Sequence, residues 1–110
     1  MEIMDIPDER LQKALDYLAN TDAKAANAKA LVEGLSEQRK TLKSILYLAA
    51  TGDQKKREAE AYAGEEYILH VEKYQNAIID FETLRNRRMT AALIVEVWRS
   101  CNANRRNGNI

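Results

Sequence analysis

The chain has 110 residues, of which 45% are hydrophobic and 31% are charged. Such a length and composition predict one soluble domain, because the chain is too short to bury two ordinary hydrophobic cores. The 17 basic and 17 acidic side chains cancel, so no overall field attracts nucleic acid, a membrane surface or an acidic substrate. One cysteine and one histidine exclude an intrachain disulfide framework and a zinc site built from one chain's own Cys and His ligands.

The first ten residues are acidic and have neither the basic start nor the apolar run of a secretory signal. The longest apolar runs, residues 45–50 and 91–95, are far shorter than the ~18 residues that a membrane-spanning helix needs. We therefore expect a cytoplasmic protein that does not span a membrane.

Helix is expected over most of the chain, because Pro7 is the only proline and strong helix formers dominate the residues that follow it. The first helix should begin near residue 6, with Asp5 as its N-cap and Pro7 in its first turn. Capping residues recur at positions 20–22. They permit either a break, giving helices over about 6–19 and 22–50, or one continuous helix.

Two glycines divide the rest of the chain. Gly52 can close one helix in the left-handed conformation while Asp53 caps the next, which predicts a tight corner at residues 51–53. Gly64 predicts a second interruption, because glycine is costly inside a helix. The expected elements are a short helix over about 53–62, a long helix over 65–103, and an asparagine-rich tail over 104–110 that should fray.

A seven-residue apolar repeat, which we call the apolar stripe, runs along both long segments. Because the corner is tight, the two segments should fold back on each other and pair residues whose numbers sum to about 104. The prediction is an all-α fold: a long, coiled-coil-like antiparallel helical hairpin, which a short N-terminal helix could complete to a three- or four-helix arrangement. The stripe comprises Leu11, Ala14, Leu18, Thr21, Ala25, Ala28, Val32, Leu35, Arg39, Leu42, Leu46 and Ala49, and Tyr67, His70, Tyr74, Ala77, Phe81, Leu84, Arg88, Ala91, Val95, Trp98 and Asn102.

Two cations interrupt the apolar stripe. In the predicted pairing Arg39 would lie near Glu65 and Glu66, and Arg88 near Asp16. Each cation would then meet an anion across the hairpin, which favours the pairing.

Residues 91–98 are apolar nearly all round their helix, and such a helix needs neighbours on more than one side. The neighbour could be residues 6–19 folded back, a second copy of the chain, or both. We therefore expect a homo-oligomer and a protein partner. The predicted interface residues are Leu93, Ile94, Val97 and Trp98.

Residues with catalytic potential are few. Glu66 and His70 form the only acid and imidazole pair at helical spacing, and a histidine in an apolar stripe is more often a packed, hydrogen-bonded side chain. Cys101 lies near a helix C-terminus, where the helix dipole opposes thiolate formation. Nucleotide-binding and nucleophile-elbow motifs are absent from the sequence. We expect no enzyme activity, cofactor or metal site.

The C-terminal 26 residues carry all the local excess of positive charge. They hold six arginines and one glutamate, and arginine is well suited to phosphate binding. Glu82 and Glu96 stand three residues before two of these arginines, and the hairpin brings the acidic N-terminus alongside. Internal ion pairs would therefore neutralise most of the arginines. Arg105, Arg106 and Arg87 are expected to stay unpaired. The candidate nucleic-acid-binding residues are Arg85, Arg87, Arg99, Arg105 and Arg106.

Residues Glu82–Arg106 (ETLRNRRMTAALIVEVWRSCNANRR) and Leu31–Leu42 (LVEGLSEQRKTL) resemble small helical proteins encoded by tailed bacteriophages and prophages. Such proteins are encoded beside early recombination and replication genes. The resemblance implies an accessory role in the cytoplasm of the bacterial host and carries over no active site.

The sequence thus favours a non-enzymatic, oligomeric helical interaction protein, an adaptor or scaffold. The alternative is an accessory protein that binds nucleic acid through its C-terminal arginines.

Overall fold

Residues 5–108 contain three helices. The structure is a computed structural model that describes residues 5–108. Helix α1 spans Asp8–Ala49, α2 spans Gln54–Ala63 and α3 spans Glu65–Arg106. No strand occurs in residues 5–108, and the predicted all-α antiparallel helical hairpin is confirmed.

Helix α1 begins two residues later than expected. The Pro7 carbonyl accepts the backbone N–H groups of Arg10 (3.0 Å) and Leu11 (3.1 Å), so Pro7 precedes the helix instead of lying in its first turn. Asp5 is not the N-cap, because its carboxylate pairs with Arg105 near the other end of the chain. The fixed φ of proline suits this position, where its missing N–H costs nothing.

The break proposed at residues 20–22 does not occur, and α1 is continuous through them. The Thr21 hydroxyl donates to the Tyr17 carbonyl one turn earlier (2.7 Å) instead of capping a new helix. A threonine satisfied in this way fits inside a helix. The third helix of the fold is therefore α2, at the corner, and not an N-terminal segment.

The predicted corner is confirmed. Gly52 has φ +109°, a conformation that favours glycine. Asp53 is the N-cap of α2, and its side chain accepts the backbone N–H of Lys56 at 2.9 Å. Gly64 lies in extended conformation between α2 and α3, as the second interruption requires.

The C-terminal helix extends beyond its predicted end. Helix α3 reaches Arg106, so the fraying expected from residue 104 does not begin there. Arg105 and Arg106 lie in this last turn, where positive charge suits the negative end of the helix dipole, and Arg105 also forms an exposed ion pair with Asp5. Residues 109–110, in the predicted tail, lie outside the described residues.

The helices group into two compact units. We call Met1–Ala25 with Thr83–Ile110 the terminal unit, and Ala26–Glu82 the central unit. The start of α1 packs on the end of α3 in the terminal unit. In the central unit the rest of α1 packs on α2 and the first part of α3.

The apolar stripe forms the contact between helices in both units. Every stripe position except Ala49 is buried or half-buried. The most buried hydrophobic side chains are small, however, and the described residues contain no large side chain that is fully buried. Methyl groups let helices approach closely but remove little apolar surface from water. The core consists of Ile6, Ala14, Leu35, Ala61, Ala77 and Ala91.

Both cations of the apolar stripe miss their predicted partners. The Arg39 guanidinium lies over the Tyr74 ring, 5.4 Å from its centre, more than a turn beyond Glu66. Side chains on a helix tilt toward its N-terminus, so across an antiparallel pair a long side chain reaches residues of higher number than those level with its Cα. Arg88 follows the same rule and reaches Asp22 instead of Asp16.

Candidate interaction site

Internal ion pairs occupy several of the candidate nucleic-acid-binding arginines. Arg99 pairs with Glu96 at 3.1 Å, as the three-residue spacing predicts. Arg105 was expected to be unpaired, and this is wrong, because it binds Asp5. Arg85 is exposed and also has a polar or electrostatic partner. The arginines therefore do not form one unpaired row.

Arg87 and Arg106 differ from these three. Both are exposed, and no ion pair within residues 5–108 involves either of them. Arg87 lies beside α1, whereas Arg106 is the last residue of α3. The Glu2 carboxylate, which the predicted pairing also brings near this basic half, lies outside the described residues.

The four predicted interface residues divide by exposure. Leu93 is 62% exposed, whereas Ile94, Val97 and Trp98 are half-buried. The indole N–H of Trp98 donates to the Asp8 carboxylate at 3.3 Å. The start of α1 therefore covers part of this surface, and Leu93 remains outside.

A groove runs between α1 and α3 in the terminal unit, and its lining has a regular pattern. Four residues of α1 spaced i, i+3, i+4 and i+7 form one wall, and four residues of α3 with the same spacing form the other. The groove encloses about 350 Å³ and is open to solvent. Its floor is apolar because Ala14 and Ala91 belong to the core. The lining residues are Arg10, Lys13, Ala14 and Tyr17, and Arg87, Thr90, Ala91 and Ile94.

This groove holds three cations and no carboxylate. Neither Arg10 nor Arg87 takes part in an ion pair with any described residue. Lys13 pairs with Glu9 at 3.4 Å, and both side chains are largely exposed, so the pair is weak and easily exchanged. The groove therefore offers apolar surface together with positive charge to a ligand or partner.

Lys43 of the central unit faces two tyrosines. The rings of Tyr62 and Tyr67 meet edge to face with centres 5.2 Å apart, and the Lys43 ammonium lies 4.5 Å from the centre of the Tyr62 ring. A hydrogen bond with Tyr62 raises the pKa of Lys43 above its ordinary value, and lost hydration opposes this only in part. Arg57 lies over the Tyr47 ring in the same unit. Lys43 and Arg57 are therefore both engaged by aromatic rings of the central unit.

His70 is a packing residue. Its Nε2 lies 3.0 Å from the Leu35 carbonyl, which joins α3 to α1 in the central unit. Cys101 is half-buried and forms no disulfide. Within residues 5–108 no three His, Cys, Asp or Glu side chains gather where they could hold a metal ion.

Large apolar side chains remain exposed in both units. Those with the greatest exposure are between 42% and 75% accessible. Apolar side chains that are this exposed are buried when a protein associates with another molecule, and they mark binding sites where they cluster. None of the described helices is both long enough and apolar enough to cross a bilayer. The exposed side chains are Leu15, Leu31, Ile45, Leu48, Tyr62, Ile68, Leu69, Ile79, Met89 and Leu93.

Sequence reasoning missed the groove, although its signal was present. Each lining residue of α1 has a partner on α3 for which the two numbers sum to 104, the predicted pairing: Arg10 with Ile94, and Tyr17 with Arg87. The two stripe residues in this stretch, Ala14 and Ala91, lie within one residue of the same level, and two alanines there leave a gap that larger side chains would fill. Comparison with protein-family models, curated proteins and solved structures finds no match.

Proposed function

We propose that this protein is a non-enzymatic helical interaction protein, an adaptor or scaffold, that assembles with copies of itself and binds a protein partner. The observation that carries the proposal is the contrast between a core of mainly alanines and the large apolar side chains left outside it. Leu48, for example, is 75% exposed. Association with another chain would bury such surface, at about 25 cal/mol for each Å² removed from water.

The setting that we propose is the cytoplasm of a bacterial host, in an accessory role for a phage. The support is the resemblance of residues 82–106 and 31–42 to small helical phage proteins. Nothing in that role calls for catalysis, and the one histidine is already engaged with a backbone carbonyl.

Sedimentation velocity over low to high micromolar concentration tests the assembly. We expect the weight-average mass to rise with concentration and the melting temperature to rise with it, because binding that favours the folded state stabilises it by mass action. Leu93→Ser should weaken assembly if the predicted interface is used, whereas Ala92→Ser, one position along the same helix, should not. A chain that stays monomeric at every concentration would refute the self-association.

A second candidate function is nucleic-acid binding, which Arg87 and Arg106 favour because both are exposed and unpaired within residues 5–108. Fluorescence anisotropy with labelled single- and double-stranded DNA and with RNA tests it. Binding should fall steeply with salt, and Arg87→Ala with Arg106→Ala should make that dependence shallower. Absence of binding at low salt would exclude this function.

A further inference from the structure

The basic groove of the terminal unit has the features of a docking site for a helix. Its two walls each cover two helical turns, so the groove is about 10 Å long at ~1.5 Å per residue. Arg10 lies at one end, Arg87 at the other, and Lys13 between them. An occupant should therefore be a short helical segment with apolar side chains in the middle and carboxylates toward both ends.

The central unit of the same chain carries such a segment. The first turns of α3 place Glu65, Ile68, Leu69 and Glu72 at i, i+3, i+4 and i+7, which is the spacing of the groove walls. Ile68 and Leu69 are both more than half exposed, and both glutamates are exposed. No ion pair among the described residues holds either glutamate. We call these four residues the acidic face.

The acidic face matches the groove in charge and in length. Glu65 and Glu72 are seven residues apart, so their Cα atoms stand about 10.5 Å apart along the helix. Between Cα levels, Arg10 and Arg87 are separated by the same seven residues, because the pairing places Tyr17 level with Arg87. Their long side chains lean toward opposite ends of the groove and bend inward to meet the carboxylates. A segment with the acidic face docked in the groove would bring a carboxylate to a cation at each end and would place Ile68 and Leu69 over the alanine floor.

We propose that the groove of one copy of this chain receives the acidic face of a second copy. This inference rests on the proposed self-association and names the surfaces that produce it. Apolar contact supplies the affinity, because two exposed aliphatic side chains leave water. The charges select the pairing and make it sensitive to salt, since exposed ion pairs are screened at physiological ionic strength.

A charge-exchange experiment tests the inference by sedimentation velocity. One variant carries Arg10→Glu and Arg87→Glu, and the other carries Glu65→Arg and Glu72→Arg. Each alone should associate at least about tenfold more weakly than the unaltered chain, because like charges would face each other. An equimolar mixture of the two should regain association, because the reversed groove of the first variant attracts the reversed face of the second.

A control variant carries Lys24→Glu and Lys55→Glu, which change the net charge as much as the groove variant does but lie outside both surfaces. It should associate like the unaltered chain. Circular dichroism should show undiminished helix in every variant. If the groove reversal unfolds the chain, the milder Arg10→Gln with Arg87→Gln should still weaken association and reduce its salt dependence.

The possible failures can be told apart. If the unaltered chain is monomeric, the proposed function fails and this inference fails with it. If the unaltered chain assembles but the groove reversal changes nothing, only the inference is overturned. It is also overturned if the mixture does not recover, because the groove then has another occupant. Loss of DNA binding in the groove variant, with unchanged self-association, would assign the groove to nucleic acid instead.

Discussion

Arg88 is the cation that ties the two long helices together in the terminal unit, and its removal is a direct test of the hairpin. Its guanidinium donates to the Leu18 carbonyl at 2.9 Å, to the Thr21 hydroxyl at 2.6 Å and to the Asp22 carboxylate at 2.6 Å. The Arg88 side chain is 23% exposed, whereas that of Asp22 is 71% exposed. The two part-buried hydrogen bonds therefore contribute more to the free energy of unfolding than the exposed ion pair with Asp22 does.

The expected loss follows from that difference. Arg88→Ala leaves no buried acceptor without a partner, because the Leu18 carbonyl lies inside α1 and the Thr21 hydroxyl also donates to Tyr17. Because water can reach these acceptors once the side chain is gone, each of the two part-buried bonds should contribute about 1–1.5 kcal/mol, which gives a loss of about 2–3 kcal/mol in the free energy of unfolding. The exposed ion pair with Asp22 should contribute about 0.5 kcal/mol.

Urea denaturation at one fixed protein concentration measures this loss for Arg88→Ala and Asp22→Ala. Arg99→Ala is the matched control, because within residues 5–108 Arg99 pairs only with exposed Glu96 of its own helix, and its removal should cost less than about 0.5 kcal/mol. Arg88→Lys should recover part of the loss, since lysine keeps the charge without the planar fork. Equal effects of Arg88→Ala and Arg99→Ala would refute the reasoning.

Three further predictions concern the corner and the core, and each is measured by thermal or urea unfolding at constant concentration. Gly52→Ala should destabilise by about 1–2 kcal/mol because its φ is +109°, whereas Gly34→Ala, with nothing within 4 Å of the added methyl, should stabilise by about 0.5–1 kcal/mol. A loss of stability in both glycine variants would contradict this prediction. Asp53→Ala should cost about 1 kcal/mol through the lost N-cap, and Asp53→Asn much less. Ala61→Leu should cost about 1–3 kcal/mol because Ala61 is 1% exposed, whereas exposed Ala59→Leu should be nearly neutral; equal effects would show that α2 is not packed.

The corner and the apolar stripe could be predicted because their causes are local. Gly52 and Asp53 have distinct backbone preferences, and a seven-residue repeat specifies a helix face whatever that face contacts. The numbers of His70 and Leu35, which meet across the helices, sum to 105, close to the predicted 104. The hairpin therefore follows from turn chemistry and periodicity together.

The partners of long side chains could not be predicted from Cα pairing alone. Arg39 and Arg88 both lean toward the N-terminus of their own helix and meet residues beyond those level with them. The Asp5–Arg105 pair was missed for a different reason, since Asp5 was assigned to an N-cap that the backbone start at Asp8 does not use. To predict the groove, the side-chain volumes of residues that the pairing places level with each other would have to be compared.

The alanine-rich interior has a consequence for calorimetry. The heat-capacity change of unfolding is set largely by newly hydrated apolar surface. Within residues 5–108, four of the six buried hydrophobic side chains are alanines, and their unfolding exposes little such surface. An isolated chain should therefore unfold with a small heat-capacity increment and a flat stability curve. Docking of a second chain onto leucine and isoleucine side chains should have a negative heat-capacity change of its own. Titration calorimetry at several temperatures measures the heat-capacity change of assembly. A large negative value would show that much of the apolar surface becomes buried only when the chains associate.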